Sequence, residues 1–151
     1  MAQKARPAVY ADTSFLFSLY LRDANTAGVI GFLQSNPTPL AFTGWQKLEL
    51  RNAIRLSVFR GHHAASFATA ALQKIESDLL QGDLADTPLV WPRVLDEAEA
   101  LSARHATPLG VRALDLLHVA AACTLGVGRF LTCDGRQLAL AQAAGLRATK
   151  I

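Results

Sequence analysis

The sequence predicts an α/β fold built on a mostly parallel sheet of four to five strands. Three observations predict it. Short apolar runs alternate with longer stretches of helical periodicity, which is the pattern of βα units. The stretches between the runs are long enough for crossover connections. Finally, 51% of the 151 residues are hydrophobic, slightly above the usual globular share, which favours a well-buried sheet with apolar surface left for a partner. The length suits a single domain over residues 1–151.

The elements follow in order. "AVYA", Ala8 to Ala11, reads as the first strand. Helices are expected over Thr13 to Leu21 and Asn25 to Gln34. Pro37 and Pro39 break the chain before "LAFT", Leu40 to Thr43, the second strand. Helices over Gly44 to Arg60 and His63 to Leu80 are parted only by a short break at Gly61, and they suit a helical hairpin standing out from the sheet. "QGDLADTP" reads as a loop, and "PLVW", Pro88 to Trp91, as the third strand. Helices over Arg93 to His105 and Ala113 to Leu125 precede "RFLT", Arg129 to Thr132, the fourth. A helix from Arg136 to Ala144 ends at Gly145, and "LRAT", Leu146 to Thr149, adds a fifth strand. No internal repeat or low-complexity linker interrupts the series.

Several classes fall away on composition. No apolar run reaches the roughly 18 residues of a membrane span. "MAQKARPAVYADTS" has positive charges but no long apolar core and no small-residue cleavage site, so it reads as a short tail and the cytoplasm is the simplest location. Cys123 and Cys133 make no disulfide framework. Their spacing from His118 lacks the paired close ligands of structural zinc modules. A net charge of +3 and a pI near 9.2 permit nucleic-acid contact without establishing it.

Four of the twelve acids stand apart from the solvated ones, which are Asp23, Glu76, Asp78, Asp83, Asp86, Asp96, Glu97 and Glu99. Asp12 closes the first strand in "VYADTSF", and Asp134 holds the matching place in "LTCDGRQ". Ligands of parallel sheets bind outside the carboxyl ends of strands, but aspartate is also a good helix cap, and both readings stand. At 100° per residue Glu49 shares a helix face with Trp45, Asn52, Ala53 and Leu56, opposite a basic stripe of Lys47, Arg51 and Arg55. It therefore points towards the protein, as a site acid or as the partner of an arginine. The stripe suits either RNA or plain solvent. Asp115 lies among apolar residues, on a face with His118, Val119 and Ala122, near a helix start that favours a carboxylate. Four inward carboxylates repel one another. Either each has its own partner, or a hard divalent cation such as Mg²⁺ or Mn²⁺ gathers them.

The order of "VYADTSFL", "ELRNAI" and "LDLLHVAAACTLGVGRFLTCDGRQLALAQAAGL" resembles a PIN domain, and more narrowly the toxin component of VapBC-type toxin–antitoxin pairs. The likeness spans essentially the whole chain. It implies a three-layer α/β/α sandwich with a projecting helical pair. It also implies a Mg²⁺- or Mn²⁺-dependent endoribonuclease with an RNA substrate. The family's acidic quartet falls on Asp12, Glu49, Asp115 and Asp134, as catalytic and metal-binding residues. Its small hydroxyl beside the first acid falls on Thr13 or Ser14, and the hydroxyl before the last acid on Thr132. The further acid that members often carry after the last one has no counterpart in "DGRQLALAQ".

Arg112 and Arg136 lie near Asp115 and Asp134 and suit the RNA backbone, since arginine matches phosphate geometry. His118 reads as a core residue that positions Asp115. Rival classes remain: a PIN-fold module that binds RNA or protein without cleaving, an aspartate-based phosphatase, and a phosphorylated receiver. Ser14 stands where the common phosphatase pattern has a second aspartate, and a receiver gives Glu49 no reason to face inward. Leu16, Phe17, Leu19, Tyr20 and Leu21 crowd one helix, with Ile30, Phe32 and Leu33 just after. Such apolar surface, taken with the resemblance, predicts a homodimer and a groove for a small cognate antitoxin.

Overall fold

The structure is a computed structural model that describes residues 8–151. The segment before them, read from the sequence as a short tail, lies outside the described residues. Five parallel strands form one sheet: β1 (Val9–Ala11), β2 (Leu40–Phe42), β3 (Leu84–Asp86), β4 (Arg129–Thr132) and β5 (Ala148–Lys150), in the order β3-β2-β1-β4-β5. The helices are α1 (Thr13–Tyr20), α2 (Thr26–Ser35), α3 (Gly44–Phe59), α4 (Ala65–Gln81), α5 (Trp91–Leu109), α6 (Ala113–Leu125) and α7 (Gly135–Ala143).

Strand alternation sorts the core into two clusters. Val9, Ala11, Leu40, Phe42, Leu84 and Leu131 face α1, α2, α3 and α4, where they meet Phe15, Val29, Leu50, Ile54 and Ile75. Tyr10, Ala41 and Phe130 face the other way, towards α5, α6 and α7, where they meet Val94, Leu101, Val119 and Leu140. The result is the expected α/β/α sandwich. The α3–α4 pair is also present. Its inner faces join the first cluster, while Phe59 and Phe67 near its turn are exposed at 86% and 65%.

Two sequence expectations fail here. The third strand is Leu84–Asp86, inside the stretch read as a loop. "PLVW" instead leads into α5, which starts at Trp91 with Pro92 in its first turn. Proline fits a first turn because its fixed φ is helical and no N–H partner is needed there. The three-residue β3 pairs only with β2, at the sheet edge, so it shows little periodicity of its own. The apolar crowd of α1 is also mostly core rather than surface. Leu16 and Leu21 are buried, and Phe17, Leu19, Tyr20, Phe32 and Leu33 pack partly buried against the first cluster.

The strand order makes β1 and β4 a switch point. The chain leaves β1 towards β2 on one side and returns to β4 on the other. Ligand crevices form at such points, outside the carboxyl ends of the strands.

Candidate functional site

Adjacent strands in register bring the first two acids together. Ala11 pairs with Leu131, and the Asp12 amide donates to the Leu131 carbonyl at 3.0 Å. Asp12 is 3% exposed. Its Oδ1 accepts from Ser14 Oγ at 2.6 Å and from the Phe15 amide at 3.0 Å, capping α1. Its Oδ2 accepts from Thr132 Oγ1 at 2.5 Å. Burial pushes the Asp12 carboxyl above its ordinary value, against the opposing pull of His118 and these donors. Asp134 caps α7, with Oδ1 accepting from the Arg136 amide at 2.7 Å and the Gln137 amide at 3.4 Å. The capping reading of both aspartates is therefore right, and it coexists with a place in a cavity.

Glu49 is held from α3. That helix begins at Thr43 in a capping box with Gln46, and Gln46 Nε2 also donates to the Ala11 carbonyl at 2.7 Å. This ties the first turn of α3 to the end of β1. The buried face of α3 is Gln46, Leu50, Ile54 and Ser57, not the predicted set, and Asn52 and Leu56 are exposed. Glu49 borders that face, and its Oε2 meets His118 Nε2 at 2.7 Å. His118 thus partners Glu49 and not Asp115, which corrects the sequence expectation. Asp115 instead accepts on Oδ2 from the Arg112 amide at 3.1 Å and from Arg112 Nε at 3.5 Å, at the start of α6.

All four acids line one open cavity of about 770 Å³. Thr13, Ser14, Arg112 and His118 line it too. Thr132 is buried behind Asp12, and Arg136 is exposed outside the lining. Arg51 of the basic stripe pairs with Glu76 of α4, so the stripe is not a free row of charges. The sequence reading missed Asp23 and Arg60, which also line the cavity. Asp23 had looked like a solvated acid, yet its Oδ2 accepts from Ser18 Oγ at 2.7 Å. The serine four residues after Ser14 was the available signal. Arg60 arrives from the end of α3, and only the tertiary fold brings it there.

The donors suit a hard cation, being carboxylate oxygens. Among the described residues no three His, Cys, Asp or Glu side chains stand as a ready-made ligand group. Three of the acids, Glu49, Asp115 and Asp134, are nevertheless tethered through one oxygen only. No hydrogen bond among the described residues reaches Oδ1 of Asp115, Oδ2 of Asp134 or Oε1 of Glu49. Asp12 uses three of its roughly four lone-pair positions. The cysteines are free, and burial pushes both thiols up to about 11, which makes them poor metal ligands at neutral pH. Among the described residues no helix is long and apolar enough to cross a membrane.

No family model and no curated protein matches the sequence. Solved structures do match. VapC20 of Mycobacterium tuberculosis, described as a sarcin–ricin loop cleaving toxin, superposes with a TM-score of 0.67 at 19% identity, covering 95% of this chain and 99% of that one. FitAcB of Neisseria gonorrhoeae gives 0.63 at 17% identity, with 94% and 96% covered. VapBC-5 of Mycobacterium tuberculosis, described as a member of the VapBC family of toxin–antitoxin systems, gives 0.53 at 23% identity, with 96% and 100% covered. At these identities it is the fold that is shared: over nearly its whole length, this chain has the architecture of these solved structures.

Proposed function

We propose that the chain is a PIN-domain, VapC-type toxin: a divalent-metal-dependent endoribonuclease held in check by a small cognate antitoxin. One observation carries the reading. Four acids from four separate places in the sequence line a single cavity at the carboxyl edge of the sheet, each anchored and most with an oxygen to spare. The description of VapC20 as a sarcin–ricin loop cleaving toxin agrees with it.

Asp12, Glu49, Asp115 and Asp134 would hold Mg²⁺ or Mn²⁺, directly or through water. When bound, the ion supplies a water of lowered pKa and charge relief at phosphorus. The chain's own groups do the rest. Glu49 accepts the proton of the attacking water. Ser14 and Thr132 hold the Asp12 carboxylate in place through its two oxygens. Arg112 and Arg60, both on the cavity lining, bind backbone phosphates. The aspartate-nucleophile readings fit less well, because Asp12 is buried and both its oxygens accept hydrogen bonds. The non-catalytic module keeps one observation in its favour, the lack of a ready-made ligand group among the described residues.

Cleavage of a total RNA preparation in Mn²⁺, with EDTA as control, tests the proposal. Asp12→Asn is expected to reduce cleavage about 10²–10⁴-fold, because a catalytic metal contributes several kcal/mol. Metal-dependent cleavage at the wild-type rate by purified Asp12→Asn protein rejects the assignment. Binding of RNA without cleavage supports the non-catalytic module.

A further inference from the structure

A buried polar chain runs behind the cavity. Tyr10 Oη lies 2.9 Å from His118 Nδ1, and His118 Nε2 lies 2.7 Å from Glu49 Oε2. The same nitrogen faces Thr13 Oγ1 at 3.3 Å. Tyr10 is fully buried and His118 is 3% exposed. Both rings pack against aromatic neighbours. Tyr10 stacks on Phe130 at 5.6 Å, and the imidazole sits 5.7 Å from the Trp45 ring. The three residues come from β1, α6 and α3, so the chain links the sheet to helices on both of its faces.

We propose that His118 is the positioning residue for Glu49, with the Tyr10 hydroxyl donating to Nδ1 so that the imidazole presents Nε2–H to the carboxylate. The proposal rests on the reading of Glu49 as a site acid. A carboxylate can only accept, so Glu49 Oε2 at 2.7 Å takes a proton carried on Nε2. With the ring proton on Nε2, Nδ1 is the acceptor, and the Tyr10 hydroxyl 2.9 Å away donates to it. The Nε2 proton ties Oε2 of Glu49. Oε1 is left without a hydrogen bond among the described residues, on a side chain that lines the cavity and is oriented by packed rings. An exposed glutamate on a helix would sample several rotamers. Here the choice is made before any ligand arrives, which is what holds a site acid to its working geometry.

Two measurements test this separately from the nuclease reading. The first is ¹⁵N NMR of the His118 ring at pH 8, without metal. The expected state is the Nε2–H tautomer in the wild type and a shifted Nδ1 resonance in Tyr10→Phe, where the donor to that nitrogen is lost. A doubly protonated ring, an Nδ1–H tautomer, or no change in Tyr10→Phe overturns the chain whatever the protein does to RNA. The second is Mn²⁺ binding by calorimetry. His118→Leu should weaken it about 10–100-fold, the usual effect of losing a residue that orients a ligand. His118→Gln, whose amide places an N–H near the Nε2 position, should recover most of that loss. Equal affinities for wild type and His118→Leu, with Glu49→Gln weakened, overturn the positioning role alone. If Glu49→Gln binds Mn²⁺ as the wild type does, the site assignment of Glu49 fails, and the positioning proposal fails with it.

Discussion

Asp12 caps α1 and is proposed as a site acid, and its electrostatics separate the two roles. As a cap it needs only an acceptor for the Phe15 amide, which asparagine also provides. As a site acid it needs a charge. Burial raises its carboxyl above the ordinary value of 3.8, so the folded chain holds the proton more tightly than the unfolded chain. That contribution to stability is complete below the unfolded value and is lost as pH rises through the folded one. At neutral pH the ionised carboxylate therefore costs stability. The metal-free Asp12→Asn protein should match or exceed the wild type at pH 7, and its advantage should shrink as pH falls towards 3.8. Urea titrations across that range measure the difference, and an advantage that grows towards low pH contradicts the assignment. That these four acids share a cavity was foreseeable at this scale because a carboxylate inside an apolar pattern is conspicuous. Asp23 and Arg60 were not, since each sits in a polar stretch and reaches the cavity only through the fold.

Short local signals set most elements. At the start of α3, Thr43 and Gln46 three residues on form a reciprocal capping box. Helices α4 and α6 end at Gly82 and Gly126, at φ 88° and 66°, a region glycine enters without steric cost. Gln46 has a further role that no local signal announces. Its Nε2 satisfies the Ala11 carbonyl at the end of β1, next to Asp12. Gln46→Leu should cost about 1–3 kcal/mol, the penalty for leaving a buried backbone group unpaired. The variant should also weaken Mn²⁺ binding, because α3 carries Glu49. Denaturant unfolding gives the first number, and a change below about 0.5 kcal/mol would show that the tie carries little. The failure at β3 is the converse case. Three residues at a sheet edge take their structure from pairing with β2, and "PLVW" had the apolar character without a partner.

For the whole molecule, the apolar surface lies elsewhere than the sequence placed it. The α1 residues are largely absorbed by the first core cluster, while Leu48, Phe59, Phe67, Leu80 and Leu114 are exposed. The homodimer is proposed to use such surface, since soluble chains seldom leave large apolar patches bare. Light scattering at tens of micromolar should give twice the 16.2 kDa chain mass, and a monomer mass rejects the dimer. Co-expression with the neighbouring small reading frame should relieve both growth arrest and RNA cleavage, and no relief of either rejects the antitoxin. The sequence by itself determined the fold class, the seven helices among the described residues to within a few positions, and four acids that line one cavity, because periodicity, caps and misplaced charges are local properties. Only the tertiary structure decided the strand order, the partner of His118 and the full lining of the cavity. Those depend on which strands lie side by side and which helix faces meet across the sheet, and such contacts join residues more than a hundred positions apart, as Tyr10 and His118 show.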